Sequence, residues 1–354
     1  MVYLGDKATG RDNNLNLIRM VAATAVLVSH AWPITLGPGA VQPLEEAVGH
    51  TLGTLAVFAF FTISGFLITA SFERSSSLTS FLAARFLRLY PALIVSLLVV
   101  GLVIAPLISS LGAVGFLSTS HPWEFIARNL ALASPMFVLP TVFESNPYPA
   151  IEGSIWTLFY EVLCYMGVFL AGVAGLWRRP GLAALALGLW LALWLVARAS
   201  GVALHPKLVA LMTLSLPFVI GIAFYLWRSC LPLGLGVLAV LVASAWLARG
   251  TALHTPLVAL ALGYGVFWLA YVPGGILRAY NQLGDYSYGM YIYAFPVQGL
   301  MVWLFGPQGP VTNMMLAFPA TLVLSVLSWH LVEAPALGAK SRVVGWLKPE
   351  GSLR

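Results

Sequence analysis

The sequence predicts an all-α polytopic membrane protein with about ten transmembrane helices in one bundle. Three observations lead there. Of the 354 residues, 60% are hydrophobic and only 8% are charged, with a mean hydropathy of +0.91, a balance that cannot cover a soluble fold with polar surface. Apolar runs of about twenty residues, the length a helix needs to cross a ~30 Å hydrocarbon layer, recur at 15–36, 51–72, 88–110, 155–176, 182–199, 208–228, 232–248, 253–272, 283–304 and 312–336. Most basic residues lie between these runs or at their ends, where topology signals belong. They form no basic tail or helix, so the net charge of +6 does not imply nucleic acid.

With the N-terminus placed in the cytoplasm, Lys7, Arg11, Arg19, Arg74, Arg85, Arg88, Arg178, Arg179, Arg228, Arg278, Lys340, Arg342, Lys348 and Arg354 fall inside, and Arg128, Arg198, Lys207 and Arg249 fall outside. That asymmetry predicts both termini in the cytoplasm. The divisions expected are a cytoplasmic segment over 1–14, a transmembrane domain over 15–338 and a cytoplasmic tail over 339–354. Cys164 and Cys230 sit in or beside apolar runs without metal-like spacing, so neither a disulfide framework nor a metal site is expected.

The first span, NLNLIRMVAATAVLVSHAWPITLGP, carries two groups that an anchor does not need. Arg19 and His30 are eleven positions apart, which is three helical turns plus roughly 20°, so they share a face about 16 Å apart. Either alone could be an anchor or a packing residue. Together they suggest a site, since intramembrane ionisable groups usually line one. The second span, FAFFTISGFLIT, places Ser64-Gly65 where helices can approach closely, with the serine hydroxyl a candidate cavity lining. Before the third span, in FLAARFLRLYP, Arg85 and Arg88 are spaced i,i+3 on a helix at the cytoplasmic surface. They read as interfacial anchors or as a phosphate clamp.

The connection from 110 to 154 faces outward. Its weak apolar piece, Phe125 to Leu139 between Pro122 and Pro140, suggests a re-entrant or surface-lying helix. The fourth span, EGSIWTLFYEVLCYM, buries Glu161 about two turns deep, where it needs a partner. Trp156 and Tyr160, spaced i,i+4, line the same cavity or sit in the aromatic belt. In the ninth span, LGDYSYGMYIYAFPVQ, Asp285 is positioned to cap its helix. In the tenth, SWHLVEAPAL, His330 and Glu333 are expected as a local structural pair.

These pieces, taken in this order, resemble the membrane-bound acyltransferase 3 family of bacteria over Asn14 to about Ala339. The resemblance rests on the Arg–ten residues–His spacing, FFTISGFLI, RFLRLYP, SIWTLFYE and LGDYSYGMYIYAFP. It implies about ten spans and an inner-membrane O-acyltransferase. The donor would be a cytoplasmic acyl-CoA, acetyl-CoA in the first instance. The acceptor would be a hydroxyl of a surface or secreted polysaccharide or its lipid-linked precursor. It assigns Arg19 and His30 to the Arg–ten residues–His motif, with His30 the essential residue, Glu161 as the acidic member of the fourth-span motif, and Arg85 and Arg88 to the donor, where Arg19, at the same level, would join them. No permanently bound cofactor is implied, and polysaccharide-assembly machinery is the implied partner besides substrates and lipid. Two positions depart from the pattern: Tyr160 stands where many members have a second acid, and Ala294 where many have His. The imidazole would act as general base or as acyl carrier, with Glu161 fixing its tautomer. The competing class is a transporter or flippase for a lipid-linked glycan, and a third is a scaffold in a polysaccharide machine. The absence of a visible repeat and the one-sided arginines speak against the transporter.

Overall fold

The computed structural model describes residues 2–10 and 12–347. Arg11, Lys348 and Arg354 of the charge pattern, and the end of the expected tail, lie outside the described residues. The main helices are α1 (Leu15–Leu36), α2 (Leu52–Arg74), α3 (Leu78–Val99), α4 (His121–Ala131), α5 (Trp156–Val173), α6 (Pro180–Ala199), α7 (Pro206–Leu226), α8 (Leu235–Leu247), α9 (His254–Tyr271), α10 (Ser287–Phe305) and α11 (Pro310–Ser328).

Eight segments among the described residues are long and apolar enough to cross a membrane, and each coincides with a predicted span. The other two predicted spans are helical but fall outside that class. The α8 helix has 13 residues, about 20 Å, because the chain before it is drawn into extended backbone. There the Tyr264 hydroxyl donates to the Pro232 carbonyl (2.7 Å) and accepts from the Gly234 amide (2.8 Å). The α10 helix has 19 residues, but Tyr288, Tyr291 and Tyr293 dilute its hydropathy.

The third span also starts ten residues earlier than expected. Ser77 caps α3, its hydroxyl accepting from the Ser80 amide at 3.1 Å, and the helix runs through Pro91. Arg85 and Arg88 therefore belong to the spanning helix itself, not to a separate surface helix. A five-residue π turn, Val100–Ile104, then leads into Ala105–Ile108. The same construction ends α11, where the π turn Trp329–Glu333 leads into Ala334–Gly338. Each π turn is followed by Ala-Pro, Pro106 and Pro335. A proline removes an amide and crowds the carbonyl four residues back, and the wider turn relieves that crowding.

The chain gathers into two compact units. The first comprises the chain up to Ala22, Leu55–Arg74 and Tyr160–Gly284. Its centre is a close crossing of α2 and α7: a Cβ on Gly65 would lie 2.0 Å from the Phe218 carbonyl oxygen, and one on Gly221 would lie 2.1 Å from that of Thr62. Small residues let two backbones touch, which is how helices associate where no hydrophobic drive exists. The reading of Ser64-Gly65 as a packing position holds, whereas its partner Gly221 was not visible in the sequence. Gly221→Ala is expected to destabilise the detergent-solubilised protein by roughly 1–3 kcal/mol, read as a lower melting temperature. An unchanged melt would mean that the crossing relaxes freely. The buried Asn14 side chain ties the start of α1 to the end of α9, donating to the carbonyls of Leu269 (2.8 Å) and Pro273 (2.9 Å).

The second unit comprises Ala23–Thr54, Ser75–Phe159 and the chain from Asp285 on. Here α10 and α11 pack so tightly that a Cβ on Gly289 would lie 2.7 Å from Ser325 Cα. The connection expected to hold a re-entrant or surface-lying helix contains α4, an amphipathic helix whose Phe125 and Asn129 are buried while Trp123 is exposed. Phe125 lies over Gly101 in the π turn of α3. Past α4 the chain is irregular but anchored. Phe143 fills the space at Gly299, and the Asn146 amide donates to the Gly299 carbonyl at 2.9 Å.

Candidate active site

The second unit holds His30, Arg85, Arg88 and Trp156, and the first holds Arg19, Ser64, Tyr160 and Glu161. Arg19 and His30 are on the one continuous helix α1, as their spacing required.

His30 is positioned by packing. Its ring meets Phe295 of α10 edge-on, with centroids 5.4 Å apart. Ile34, one turn further along α1, is buried in a cluster with Ala150, Phe295 and Val302, against which Phe137 and Tyr148 pack. One turn before His30, the Leu27 carbonyl accepts from the Gln298 side-chain amide (3.0 Å), which also donates to Asn313 Oδ1 (3.1 Å). Next to His30, the Ser29 hydroxyl donates to Gln42 (2.6 Å) and fixes the following connection. The residue itself is partly exposed, while its Nδ1 is buried and meets no hydrogen-bond partner among the described residues.

The segment entering α5 adds an acid that the motif reading passed over. Glu152 is 1% exposed. Its Oε1 accepts from the amides of Gly153 (3.0 Å) and Ser154 (3.1 Å) and from the Ser154 hydroxyl (2.9 Å), while Oε2 is buried with no partner among the described residues. The turn is locked to α10: the Tyr291 hydroxyl donates to the Ser154 carbonyl and shares a hydrogen bond with Thr157 (2.6 Å). Burial pushes the Glu152 carboxyl up to about 7 from its ordinary 4.5, opposed by those same hydrogen bonds. A carboxyl raised in this way gives its full stability below its unfolded pKa and loses it as pH rises through the folded value, here from about pH 4.5 to 7. Glu152→Gln should therefore flatten the melting temperature across that window, removing on the order of 3 kcal/mol of pH dependence. A parent melt that does not fall between pH 5 and 8 would contradict this.

Arg88 is the centre of a second cluster. It pairs with Asp285 at the start of α10, lies 3.6 Å from Glu333 in the second π turn, and stands 6.0 Å over the Trp329 ring. Glu333 is 2% exposed and also accepts from the Ser328 hydroxyl at 3.0 Å. Asp285 further accepts from the Ser287 hydroxyl, and Tyr286 occupies the cap position expected for it. His330 and Glu333 do not form the local pair that their spacing suggested. His330 faces the Tyr286 hydroxyl (3.2 Å) while Glu333 serves Arg88. The π turn changes the angular offset of i,i+3 positions, which defeats ordinary α-helical periodicity. One helical turn from Arg88, Arg85 is partly buried, with its guanidinium 5.8 Å from the Phe81 ring.

In the first unit Glu161 has the partners its depth demanded. Its Oε1 accepts from the Ser64 hydroxyl at 3.3 Å and from Tyr165, one turn along α5. Ser64 and Tyr160 are buried, and Trp156 is 38% exposed. Tyr165 went unremarked in the sequence, although its i,i+4 spacing from Glu161 is the signal that would have found it. No group of three or more metal-ligating side chains occurs among the described residues.

The family model described as an acyltransferase domain matches residues 12–330. The chain belongs to that acyltransferase 3 family and is a membrane O-acyltransferase. It is 28% identical to nodulation protein 10 of Rhizobium leguminosarum bv. viciae over 96% of this chain and 97% of that protein. It is 29% identical to an O-acetyl transferase of Shigella phage Sf6 over 91% and 95% of the two chains. Acyltransferase MdmB of Streptomyces mycarofaciens is 30% identical over 43% of this chain and 37% of that one. No solved structure gives a significant match.

Proposed function

We propose that the protein moves an acyl group, acetyl first, from a cytoplasmic acyl-CoA to a hydroxyl of a cell-surface or secreted polysaccharide or its lipid-linked precursor. It would do so from the bacterial inner membrane, with both termini in the cytoplasm and polysaccharide-assembly machinery as its partner. The observation that carries this reading is His30, an imidazole with a buried, uncommitted nitrogen on the helix face it shares with Arg19.

In this reading the acceptor hydroxyl gives its proton to His30, its oxygen bonds to the acyl carbon, and the carbon–sulfur bond breaks. The proton then passes to the departing CoA thiolate. The same imidazole could instead carry the acyl group between two such transfers, with the same overall balance. Arg19, Arg85 and Arg88 serve the donor phosphates, for which guanidinium forks are suited. For Arg88 this means a fork already oriented by Asp285 and Glu333. Glu161, held by Ser64 and Tyr165, is the acidic member of the motif, and Trp156 and Tyr160 flank it on α5. The phage relative, an O-acetyl transferase, supports acetyl as the group and oxygen as its destination.

The test is a comparison of surface glycans by mass in cells that carry the gene, lack it, or carry His30→Gln. The expected result is one acetyl mass per modified unit with the parent alone. Identical glycans in all three would overturn the reading.

A further inference from the structure

Glu152 lies outside every role given above, yet its surroundings bring it to the His30 neighbourhood. Phe295 links the two. The ring that meets His30 edge-on also occupies the space beside Gly153, where a Cβ would lie 2.4 Å from its edge. Tyr148, partly exposed in the same segment, packs against that ring at 5.8 Å between centroids. Ala150 lies in one cluster with Ile34, a single turn from His30. The segment from Tyr148 to Ser154 is held rigid on both sides: the Ile151 amide donates to the Phe137 carbonyl (2.8 Å), and Tyr291 holds Ser154.

Within this fixed turn the two oxygens of Glu152 are unequal. Oε1 takes three hydrogen bonds and shapes the entry to α5. Oε2 takes none among the described residues and is buried. A buried carboxylate oxygen without a donor is costly, on the order of 1–3 kcal/mol or more. The turn alone would be served as well by an amide, which supplies the Oε1 acceptor without a charge. A purely structural role therefore leaves the second oxygen unexplained.

We propose that Glu152 and Tyr148 form an acceptor subsite beside His30, in which Glu152 Oε2 accepts a hydrogen bond from a hydroxyl of the incoming sugar. This rests on the acyltransfer reading above and deepens it by assigning a residue to the acceptor. Glu152 is a binding and positioning residue here, since the transferred proton still goes to His30. The charge-assisted bond from a hydroxyl to a carboxylate is the stronger kind, and the hydroxyl-rich acceptor supplies the donor that Oε2 lacks.

Glu152→Gln separates the two roles. The amide keeps an oxygen for the Gly153 and Ser154 donors and removes the second acceptor. Purified parent and variant would be given radiolabelled acetyl-CoA with and without a soluble oligosaccharide acceptor at pH 8, where the carboxylate dominates. The readout is the variant's transfer of label to the oligosaccharide. The variant's acceptor KM should rise roughly tenfold or more, the scale of one lost charged hydrogen bond, with the KM for acetyl-CoA unchanged. Tyr148→Ala should raise the same constant. A Glu152→Gln enzyme with the parent's acceptor KM would overturn the subsite and leave the acyltransfer reading standing. A parent that neither consumes acetyl-CoA nor labels acceptor would overturn the acyltransfer reading itself.

Discussion

His30→Gln is expected to leave a folded, inserted protein that transfers acyl groups at least about 100-fold more slowly, the scale of a lost general base. The fold should tolerate the change because the structure gives His30 little structural duty. Its ring makes an edge contact with Phe295, and its buried Nδ1 has no partner among the described residues to strand. The clamp that holds α1 at this level is made by neighbours, Gln298 on the Leu27 carbonyl and Ser29 on Gln42. Glutamine preserves a hydrogen-bonding group of similar reach but cannot take up a proton near neutral pH, and it cannot carry an acyl group. His30→Ala should be equally inactive. Membrane levels and melting temperature measured beside activity separate chemistry from folding. Activity near the parent's in the glutamine variant would assign His30 to packing.

Arg88→Ala is expected to have the largest effect on stability, roughly 3–5 kcal/mol, because it strands buried carboxylates. Arg88 is the cation between Asp285 and Glu333, whose side chains are 8% and 2% exposed. Removing it releases the junction of α3, α10 and the π turn after α11. Arg88→Lys should recover only part, since a point charge cannot match both carboxylates as a planar fork does. Combining Arg88→Ala with Glu333→Gln should recover more, by removing one stranded charge. Arg85→Ala should behave differently. It should bind acyl-CoA more weakly by roughly 1.5–3 kcal/mol if one charged hydrogen bond is lost. Thermal melts of the four variants, with donor binding for the two alanines, read this out. Unchanged acyl-CoA affinity in Arg85→Ala would assign that arginine to topology alone.

Much of the fold was legible because membrane helices declare themselves by length and apolarity. Eight spans fell within a few residues of their predicted limits, apart from the start of α3. That start was missed because the arginines at 85 and 88 interrupt the apolar run, while Ser77, the residue that caps it, gives only a local signal. The seventh span was overestimated because Pro232 and Leu233 read as a continuation of the apolar run yet stand in extended backbone held by Tyr264. In the site, the spacing of Arg19 and His30 and the need of Glu161 for partners could be read directly. What could not be read were partners far apart in sequence. Asp285 and Glu333 find Arg88 only through tertiary packing, and an i,i+3 rule fails inside a π turn. Glu152 was hidden differently, as an acid at the head of a span reads as an interfacial residue until its burial is seen.

The most direct test is transfer by the purified protein in lipid vesicles, given radiolabelled acetyl-CoA and a hydroxyl-bearing oligosaccharide. Label should appear on the oligosaccharide as a base-labile ester with the parent and stay on CoA with His30→Gln. Label transfer that survives loss of the imidazole, or acceptor that never becomes labelled by an intact and folded parent, would contradict an imidazole-dependent O-acyltransfer.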